Sequence, residues 1–247
     1  MLLVYQPRES QNHSENESLI DGGIDLDRVP EAMCARLLPP DIVADIRAHL
    51  QPDVSTVKRL MLFDRLGWQA GSEPVQGELL PEESGFSRLC RRRSLLARAW
   101  FLCGLSEVLD EEAFISLARD AFYKGDLNGS IAVLETCPYF RHQEAFLDDA
   151  VDALLTNSSE VFAALALDNP YPARYFSEEA FNQMVLKALF LDLDTSRIIG
   201  LADRVNPHLF GMVDDYREEL TLARRPLPGG MSWIHKIKNG EADHGLL

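Results

Sequence analysis

Two clusters of acidic residues have a spacing that could hold a divalent cation. Residues 148–152 read DDAVD and residues 214–218 read DDYRE, which fit the patterns DDxxD and DDxxE. Residues four apart on a helix are neighbours, so the first and last carboxylates of each motif could bind Mg²⁺ together. The candidate metal ligands are Asp148, Asp149, Asp152, Asp214, Asp215 and Glu218.

Two interpretations of these motifs are open. All-α isoprenoid synthases use two facing motifs of this kind to hold a substrate diphosphate through metal ions. This similarity gives the hypothesis of a Mg-dependent enzyme acting on an isoprenoid diphosphate, whose oxygens would be bound by Arg141, Lys187, Arg197 and Arg204. The other interpretation is solvated helix faces, because 39 acidic residues in 247 produce such matches by chance. The motifs are also only 66 residues apart, closer than in that family.

A run of three arginines, Arg91–Arg93, lies close to two further arginines at positions 88 and 98. Three consecutive residues spread around a helix and cannot form one face, whereas Arg88, Arg91 and Arg98 share a stripe. In a chain of this acidity we expect these side chains to pair with neighbouring carboxylates. The alternative is a local anion-binding site.

Polar side chains also surround a proline-rich segment that reads NPYPARYF over residues 169–176. Each proline restricts its own φ and disfavours helix in the residue before it, which predicts a rigid, extended turn. The next helix carries NQMVLK over residues 182–187, with Gln183 and Lys187 one turn apart and away from its apolar stripe. Such residues either face solvent or line a pocket.

The elements that must position these residues are helices. Apolar residues recur at helical spacing through most of the chain, and no alternating β-branched or aromatic run reaches five residues. Helix N-caps are predicted at Asp110, Asp126, Asn157, Ser177 and Asn206. The predicted fold class is therefore all-α, a single domain of packed antiparallel helical hairpins in an irregular α/α array.

Three segments differ in composition from this helical domain. Residues 6–30 are polar and show no sustained period, which predicts a mobile N-terminal arm over residues 1–30. Glycines and prolines over residues 67–84 predict a long loop. The all-α domain is expected over residues 31–225, and residues 226–247, which open with prolines and glycines, are predicted to be a flexible C-terminal tail.

Charge and composition argue against several classes of protein. The 24 basic and 39 acidic residues give a formal net charge of −15, which disfavours binding to nucleic acid or to an anionic membrane. The longest apolar runs have seven residues, too few to span a bilayer, and no apolar leader opens the chain. The scattered cysteines and histidines predict no zinc site, and no cofactor is expected. We expect a soluble cytoplasmic protein.

One stretch of the sequence resembles a known family. The short sequence motifs that carry the resemblance are Leu155-Thr-Asn157, Val161-Phe162, Asn169-Pro-Tyr-Pro172, Tyr175-Phe176, Asn182-Gln-Met-Val-Leu-Lys187, Gly200-Leu201 and Arg204-x-Asn206. They are concentrated in residues 154–216 and are similar to the EboA-type metabolite traffic family of bacteria. NPYP followed by NQMVLK is their most specific combination. The family's Arg-Trp pair in the last helix is replaced here by Leu220-Thr221.

The resemblance implies a place in gene clusters that move or process secondary metabolites between cytoplasm and periplasm, beside prenyltransferase-like and sugar-phosphate-cyclising enzymes. We therefore expect a non-enzymatic binding or adaptor protein in metabolite export. Its partners would be other proteins of that pathway and a small-molecule metabolite, with no nucleic acid. The binding surface is predicted to comprise Asn169, Tyr171, Tyr175, Asn182, Gln183, Lys187, Arg197, Arg204 and Asn206.

These residues have distinct expected roles. Tyr171 would supply an aromatic platform, Asn182 and Gln183 would form directional hydrogen bonds, and Lys187 with Arg204 would supply charge for an anionic group. A third hypothesis treats the block as purely structural. In that case Asn182 and Arg204 would satisfy loop carbonyls, and their side chains would be almost completely buried.

Overall fold

Every regular element in the computed structural model is a helix within the residues it describes, 31–75 and 88–240. These residues form α1 (Glu31–Leu37), α2 (Pro40–His49), α3 (Thr56–Gln69), α4 (Arg93–Val108), α5 (Glu111–Lys124), α6 (Leu127–Thr136), α7 (Leu147–Asp152), α8 (Ser159–Ala166), α9 (Tyr171–Tyr175), α10 (Glu178–Phe190), α11 (Leu201–Arg204), α12 (Pro207–Leu222) and α13 (Met231–Lys238). Short 3₁₀ helices occupy Cys137–Tyr139, Glu144–Phe146, Ala153–Leu155 and Thr195–Arg197. The predicted all-α fold class is confirmed.

Helix α4 is the central element of the core. Its sequence, RSLLARAWFLCGLSEV, is apolar on all sides, which is the pattern of a helix surrounded by other helices. It packs against both α3 and α6, and α6 in turn contacts α5 and α8. The side chains of Leu96, Phe101 and Leu102 are fully buried in this contact region. Helices α4, α6 and α8 therefore form the framework on which the other helices pack.

One arginine lies inside this framework. Arg98 of α4 is 1% exposed, and its guanidinium donates to the carbonyls of Phe63 at 3.0 Å and Asp64 at 3.3 Å. It also pairs with Asp126 at 3.1 Å. A Cβ at Gly67 would lie 2.2 Å from Arg98 Nη2, so only glycine lets the guanidinium reach α3 in this position. Gly67, which the sequence places in a loop, is therefore a residue of α3.

Most predicted helix starts are confirmed by their capping hydrogen bonds. Four predicted N-caps accept a hydrogen bond from the backbone amide three residues further on, at 2.6–3.2 Å: Asp110, Asp126, Ser177 and Asn206. The cap of α8 is Ser158 and not Asn157, because Ser158 has the extended backbone of an N-cap and accepts from the Val161 amide at 3.3 Å.

The C-terminal segment differs from the prediction. The sequence predicts a flexible tail over residues 226–247, whereas Met231–Lys238 forms α13. Met231 and Ile234 are buried in the main core. The hydroxyl of Thr195 donates to the Gly230 carbonyl at 2.7 Å, which fixes the start of the helix. The helix forms because apolar residues three apart lie on one face of a helix that the domain can bury.

Two other predictions fall outside the described residues. These are the N-terminal arm over residues 1–30 and residues 76–84 of the predicted loop. In residues 31–75 and 88–240, no helix combines the length and the apolar composition that crossing a membrane requires.

Candidate functional site

The NPYP segment forms a short helix, α9, and not the extended turn that its prolines predict. A proline is tolerated in the first turn of a helix, because the amides there have no intrahelical acceptor. Asn169, just before α9, is 1% exposed, and its side-chain amide donates to the carbonyls of Leu134 at 2.9 Å and Ala164 at 3.0 Å. Its oxygen accepts from the Tyr171 amide at 3.0 Å. Asn169 therefore ties α9 to α6 and α8.

Tyr171 and Tyr175 both contact the segment before α7. Tyr171 is fully buried, and its hydroxyl donates to the Gln143 carbonyl at 2.6 Å. The Tyr175 hydroxyl donates to the side-chain oxygen of Gln143. Burial raises the pKa of Tyr171, so its hydroxyl stays protonated as a donor. The Tyr171 ring is packed in the core, so in this structure it offers no accessible face as the predicted aromatic platform.

Arg204 of α11 closes the C-terminal end of α9. Its guanidinium donates to three carbonyls at 2.7–3.1 Å, those of Pro172, Ala173 and Phe176. The same guanidinium lies over the Phe181 ring, 4.3 Å from the centroid. Burial lowers the pKa of Arg204. Because the last carbonyls of a helix lack intrahelical donors, Arg204 acts as a side-chain cap of α9.

Asn182 and Asn206 join α10 to the start of α12. Their side-chain amides exchange two hydrogen bonds, one in each direction, at 3.2 and 3.0 Å. Asn182 is 1% exposed, so these bonds satisfy polar atoms that water does not reach. Asn206 also accepts from the Leu209 amide as the N-cap of α12.

Lys187 and Gln183 lie one turn apart on α10 but in different surroundings. The Lys187 ammonium donates to the carbonyls of Leu154 and Thr156, the latter at 2.7 Å, and lies 5.0 Å from the centroid of the Phe162 ring. Burial lowers the pKa of Lys187. Gln183 is exposed, and its amide donates to Glu179 on the same helix at 3.3 Å.

The predicted binding residues thus form a hydrogen-bonded frame around α9 and α10. We use the term "α9–α10 frame" for Asn169, Tyr171, Tyr175, Asn182, Lys187, Arg204 and Asn206. Asn182 is buried as the structural hypothesis requires, and Arg204 satisfies loop carbonyls while half-buried. A role of these residues in binding a ligand or partner stays a prediction.

Arg197, like the exposed Gln183, is a predicted residue that lies outside the frame. Its exposed guanidinium forms a two-pronged ion pair with Asp168, and the Asp168 amide donates to the Arg197 carbonyl at 2.7 Å. Asp168 has a φ of 52°, a left-handed conformation that a short polar side chain tolerates better than most. Arg88 donates to the carbonyl of the same residue.

The two acidic motifs have partners of opposite charge. Arg119 pairs with Asp149 at 2.8 Å, and Asp214 is held by Lys238 at 2.8 Å and Arg217 at 3.3 Å. Among residues 31–75 and 88–240, no three His, Cys, Asp or Glu side chains converge to hold a metal ion. These ion pairs fit the interpretation of the motifs as acidic helix faces.

A cleft of about 300 Å³ lies where the N-terminal end of α4 meets α6 and α8. We call it the α4–α6–α8 cleft. The residues of α6 and α8 that line the cleft are spaced three or four positions apart, so each helix presents one face to it. The apolar floor consists of Leu95, Ile131, Ala163, Ala164 and Leu167. Two of the five are alanines, whose small side chains leave the space open.

The rim of the cleft is charged. Its basic members are Arg91, Arg92 and Arg197, and its acidic members are Glu135 and Glu160. Arg91 pairs with Glu135 at 2.9 Å, and the deeper Arg98 pairs with Asp126, as predicted for the arginine run. The prediction does not extend to Arg92, which donates to the neutral side chain of Asn128. The same run also lines a concave surface.

Sequence reasoning missed the cleft because its parts lie on three helices. One signal was present: Glu160, Ala163 and Leu167 recur on one face of α8, with small and large apolar side chains below an acid. Glu135 gave no such signal. It ends α6 next to buried residues, and only the packing of α4 on α6 brings it beside Arg91.

Fold and site together define an all-α protein with a cleft of small-molecule size. A family model described as metabolite traffic protein EboA matches residues 92–234, more than half of the chain, and the chain belongs to this family. The match contains residues 154–216, which carry the resemblance, and it extends upstream to α4 and downstream into α13. No curated protein and no solved structure matches the chain.

Proposed function

We propose that the chain is a non-catalytic binding protein that holds a small molecule for the proteins of a bacterial secondary-metabolite traffic pathway. Its family supports the pathway. The observation that carries the binding role is the α4–α6–α8 cleft, because a concave surface that joins an apolar floor to charged side chains can hold a small molecule with both kinds of group. It acts in the cytoplasm, and its partners are other proteins of that pathway.

The groups that could do covalent chemistry support a non-catalytic role. Burial raises the pKa of all four cysteine thiols, to about 12 for Cys90, so the reactive thiolate is scarce at neutral pH. Asp149 and Asp214 of the acidic motifs are engaged in ion pairs. The hydrogen bond from Lys238 lowers the pKa of the Asp214 carboxyl, so this carboxylate is a weak base.

The α9–α10 frame is connected to the cleft through Asn169. Asn169 donates to Leu134 of α6 and to Ala164 of α8, the two helices whose facing sides form the cleft. In this proposal the frame fixes the separation of α6 and α8, and Arg197 is the predicted residue that contacts the ligand. Gln183, exposed on α10, belongs to the surface offered to a partner protein.

A complementation experiment in the native host tests this function. Cells that lack the chain are compared with cells that carry the wild type, and the secondary metabolites inside and outside the cells are measured by mass spectrometry. We expect the outside fraction to fall without the chain and to return with the wild type. Ala163→Trp, which fills the floor of the cleft with a large ring, is expected not to restore it.

The matched control is Ala44→Trp, an alanine-to-tryptophan change at an exposed position of α2, which does not line the cleft. Immunoblots confirm that both variants accumulate to the wild-type level. Full restoration by Ala163→Trp would contradict the assignment of the cleft, and an unchanged metabolite distribution without the chain would contradict the traffic role.

A further inference from the structure

One arginine on the rim of the α4–α6–α8 cleft, Arg92, forms no salt bridge with a carboxylate of the described residues, although its charge also acts on Glu135. Arg91, Arg98 and Arg197 are paired with Glu135, Asp126 and Asp168, respectively. Arg92 is exposed, and its partner among the described residues is the neutral side chain of Asn128, at 2.9 Å.

The cleft is also more basic than the rest of the chain. Four guanidinium groups and two carboxylates line it, although the whole chain has a formal net charge of −15. The amides of Arg93 and Ser94 in the first turn of α4 donate to the Glu73 and Gly71 carbonyls, so this helix contributes the positive end of its dipole to the same wall but not these two amides. An anion is therefore more stable here than over most of the surface.

A buried acid at the edge of the cleft points to a further polar contact. Glu135 is 6% exposed, and its Oε1 accepts from Arg91, whereas Oε2 has no hydrogen-bond partner in the described part of the chain. A buried polar atom in that condition usually meets a bound molecule or a water. A head group that also carries a hydroxyl would complete this site.

The volume of the cleft limits the size of the apolar body that a bound molecule can have. A volume of about 300 Å³ corresponds to the share of about ten water molecules in the liquid, so the cleft accepts a body of about ten non-hydrogen atoms. Leu95, Ile131 and Leu167 supply apolar contact for it, and the two alanines leave room between them.

We infer that the α4–α6–α8 cleft binds a small amphiphilic anion, with its apolar body on the floor and its carboxylate or phosphate head group on Arg92. The fork of the guanidinium matches two oxygens of either head group. This inference rests on the proposed function, because it names the chemistry of the molecule that the cleft holds.

Calorimetric titration of the full chain with four defined probes tests the inference. Octyl phosphate and octanoate carry both the head group and the apolar body, octan-1-ol lacks the charge, and inorganic phosphate lacks the apolar body. We expect at least one of the two anionic amphiphiles to bind at least about tenfold more tightly than octan-1-ol and inorganic phosphate, as a charge-assisted contact allows. The tighter of the two identifies the head group.

Two variants distinguish binding of the head group by Arg92 from binding of the apolar body by the floor of the cleft. Arg92→Ala is expected to weaken the bound anionic amphiphile about tenfold and to leave octan-1-ol unchanged, and Arg92→Lys is expected to restore part of the loss. Ala163→Trp is expected to weaken every probe that carries an octyl chain. Arg36→Ala, an exposed arginine on α1 outside the cleft, is the matched control. Circular dichroism verifies that each variant is folded.

Equal affinities for the charged amphiphiles and octan-1-ol would overturn the inference, as would an Arg92→Ala variant that binds like the wild type. These outcomes differ from a failure of the proposed function. If neither anion binds but Ala163→Trp still fails to restore metabolite traffic in cells, only the head-group chemistry is wrong.

Discussion

Arg204 donates to three main-chain carbonyls at the end of α9, and Lys187 donates to two others beyond α7. Arg98 likewise binds two carbonyls of α3 from within the core. Arg204 and Lys187 thus supply donors that a helix end or loop lacks, whereas Arg98 adds a second donor to carbonyls inside α3. These cations therefore stabilise the fold chiefly by hydrogen bonding to the backbone and less by pairing with acids.

Replacing Arg204 by alanine is expected to lower the free energy of unfolding by about 3 kcal/mol, because three carbonyls lose a charged donor at about 1 kcal/mol each. Urea denaturation followed by circular dichroism measures this change. Arg204→Lys keeps the charge but lacks the fork, so an intermediate loss is expected. A loss below about 0.5 kcal/mol for the alanine variant would contradict the capping role.

Asp126 makes stability depend on pH at the acid end. Burial by itself raises the pKa of Asp126, but the hydrogen bonds and charge of Arg98 and the Gly129 amide outweigh it, so the pKa lies below its ordinary value of 3.8. The folded state therefore favours the charged form. This stabilisation is present above pH 3.8 and is lost as the pH falls through the lower, folded-state pKa.

Asp126→Asn removes this titration while keeping an oxygen that can cap α6. Because the Asp126 side chain is more than half exposed, solvent screens the pair, and we expect the unfolding free energy of the variant to lie about 0.5–1 kcal/mol below the wild type at neutral pH. The difference is expected to disappear below pH 3.8, as the wild type loses its charged pair. Urea denaturation of both proteins between neutral and strongly acidic pH measures the difference. Parallel curves throughout would show that Asp126 is not the titrating group.

The residues of the α9–α10 frame could be selected from the sequence, but their partners could not. N-caps such as Asp110 and Asn206 act on amides three residues away, so local spacing predicts them. The acceptors of Arg204 and Lys187 lie 28 to 33 positions earlier in the chain. Only tertiary packing brings these groups together. The polar side chains that the sequence assigned to a ligand therefore form hydrogen bonds within the chain.

At the scale of the elements, α13 shows how a compositional boundary can mislead. Prolines and glycines over residues 226–230 predict the end of the domain, yet they only turn the chain so that α13 packs beside Thr195. The helix is short, and its sequence alone would not keep it folded. Burial of Met231 and Ile234 against the core supplies the remaining stability.

Ile234→Ala tests the docking of α13. Because the side chain is 1% exposed, we expect a loss of about 2–4 kcal/mol in the free energy of unfolding, measured by urea denaturation. Lys236→Ala on the exposed face of the same helix is the control, with an expected change of at most about 0.5 kcal/mol. Equal, small effects of both substitutions would mean that α13 does not pack on the domain in solution.

At the scale of the whole molecule, the fold class could be predicted because helical periodicity recurs along most of the chain. The cleft could not, because its floor and rim come from helices that the sequence separates by up to a hundred residues, from Arg91 to Arg197. The net charge of −15 excluded anionic partners for the surface as a whole. A sum over the whole chain gives no information about a local cluster, such as the arginines that line the cleft between α4, α6 and α8.

The central claim is that this cleft holds a small molecule, and native mass spectrometry of the full chain purified from its own host tests it most directly. We expect a discrete mass shift, from one bound small molecule, in the wild type and in the Ala44→Trp control. In Ala163→Trp we expect no such shift. A wild-type chain with no bound molecule, or the same occupancy in Ala163→Trp, would contradict the claim.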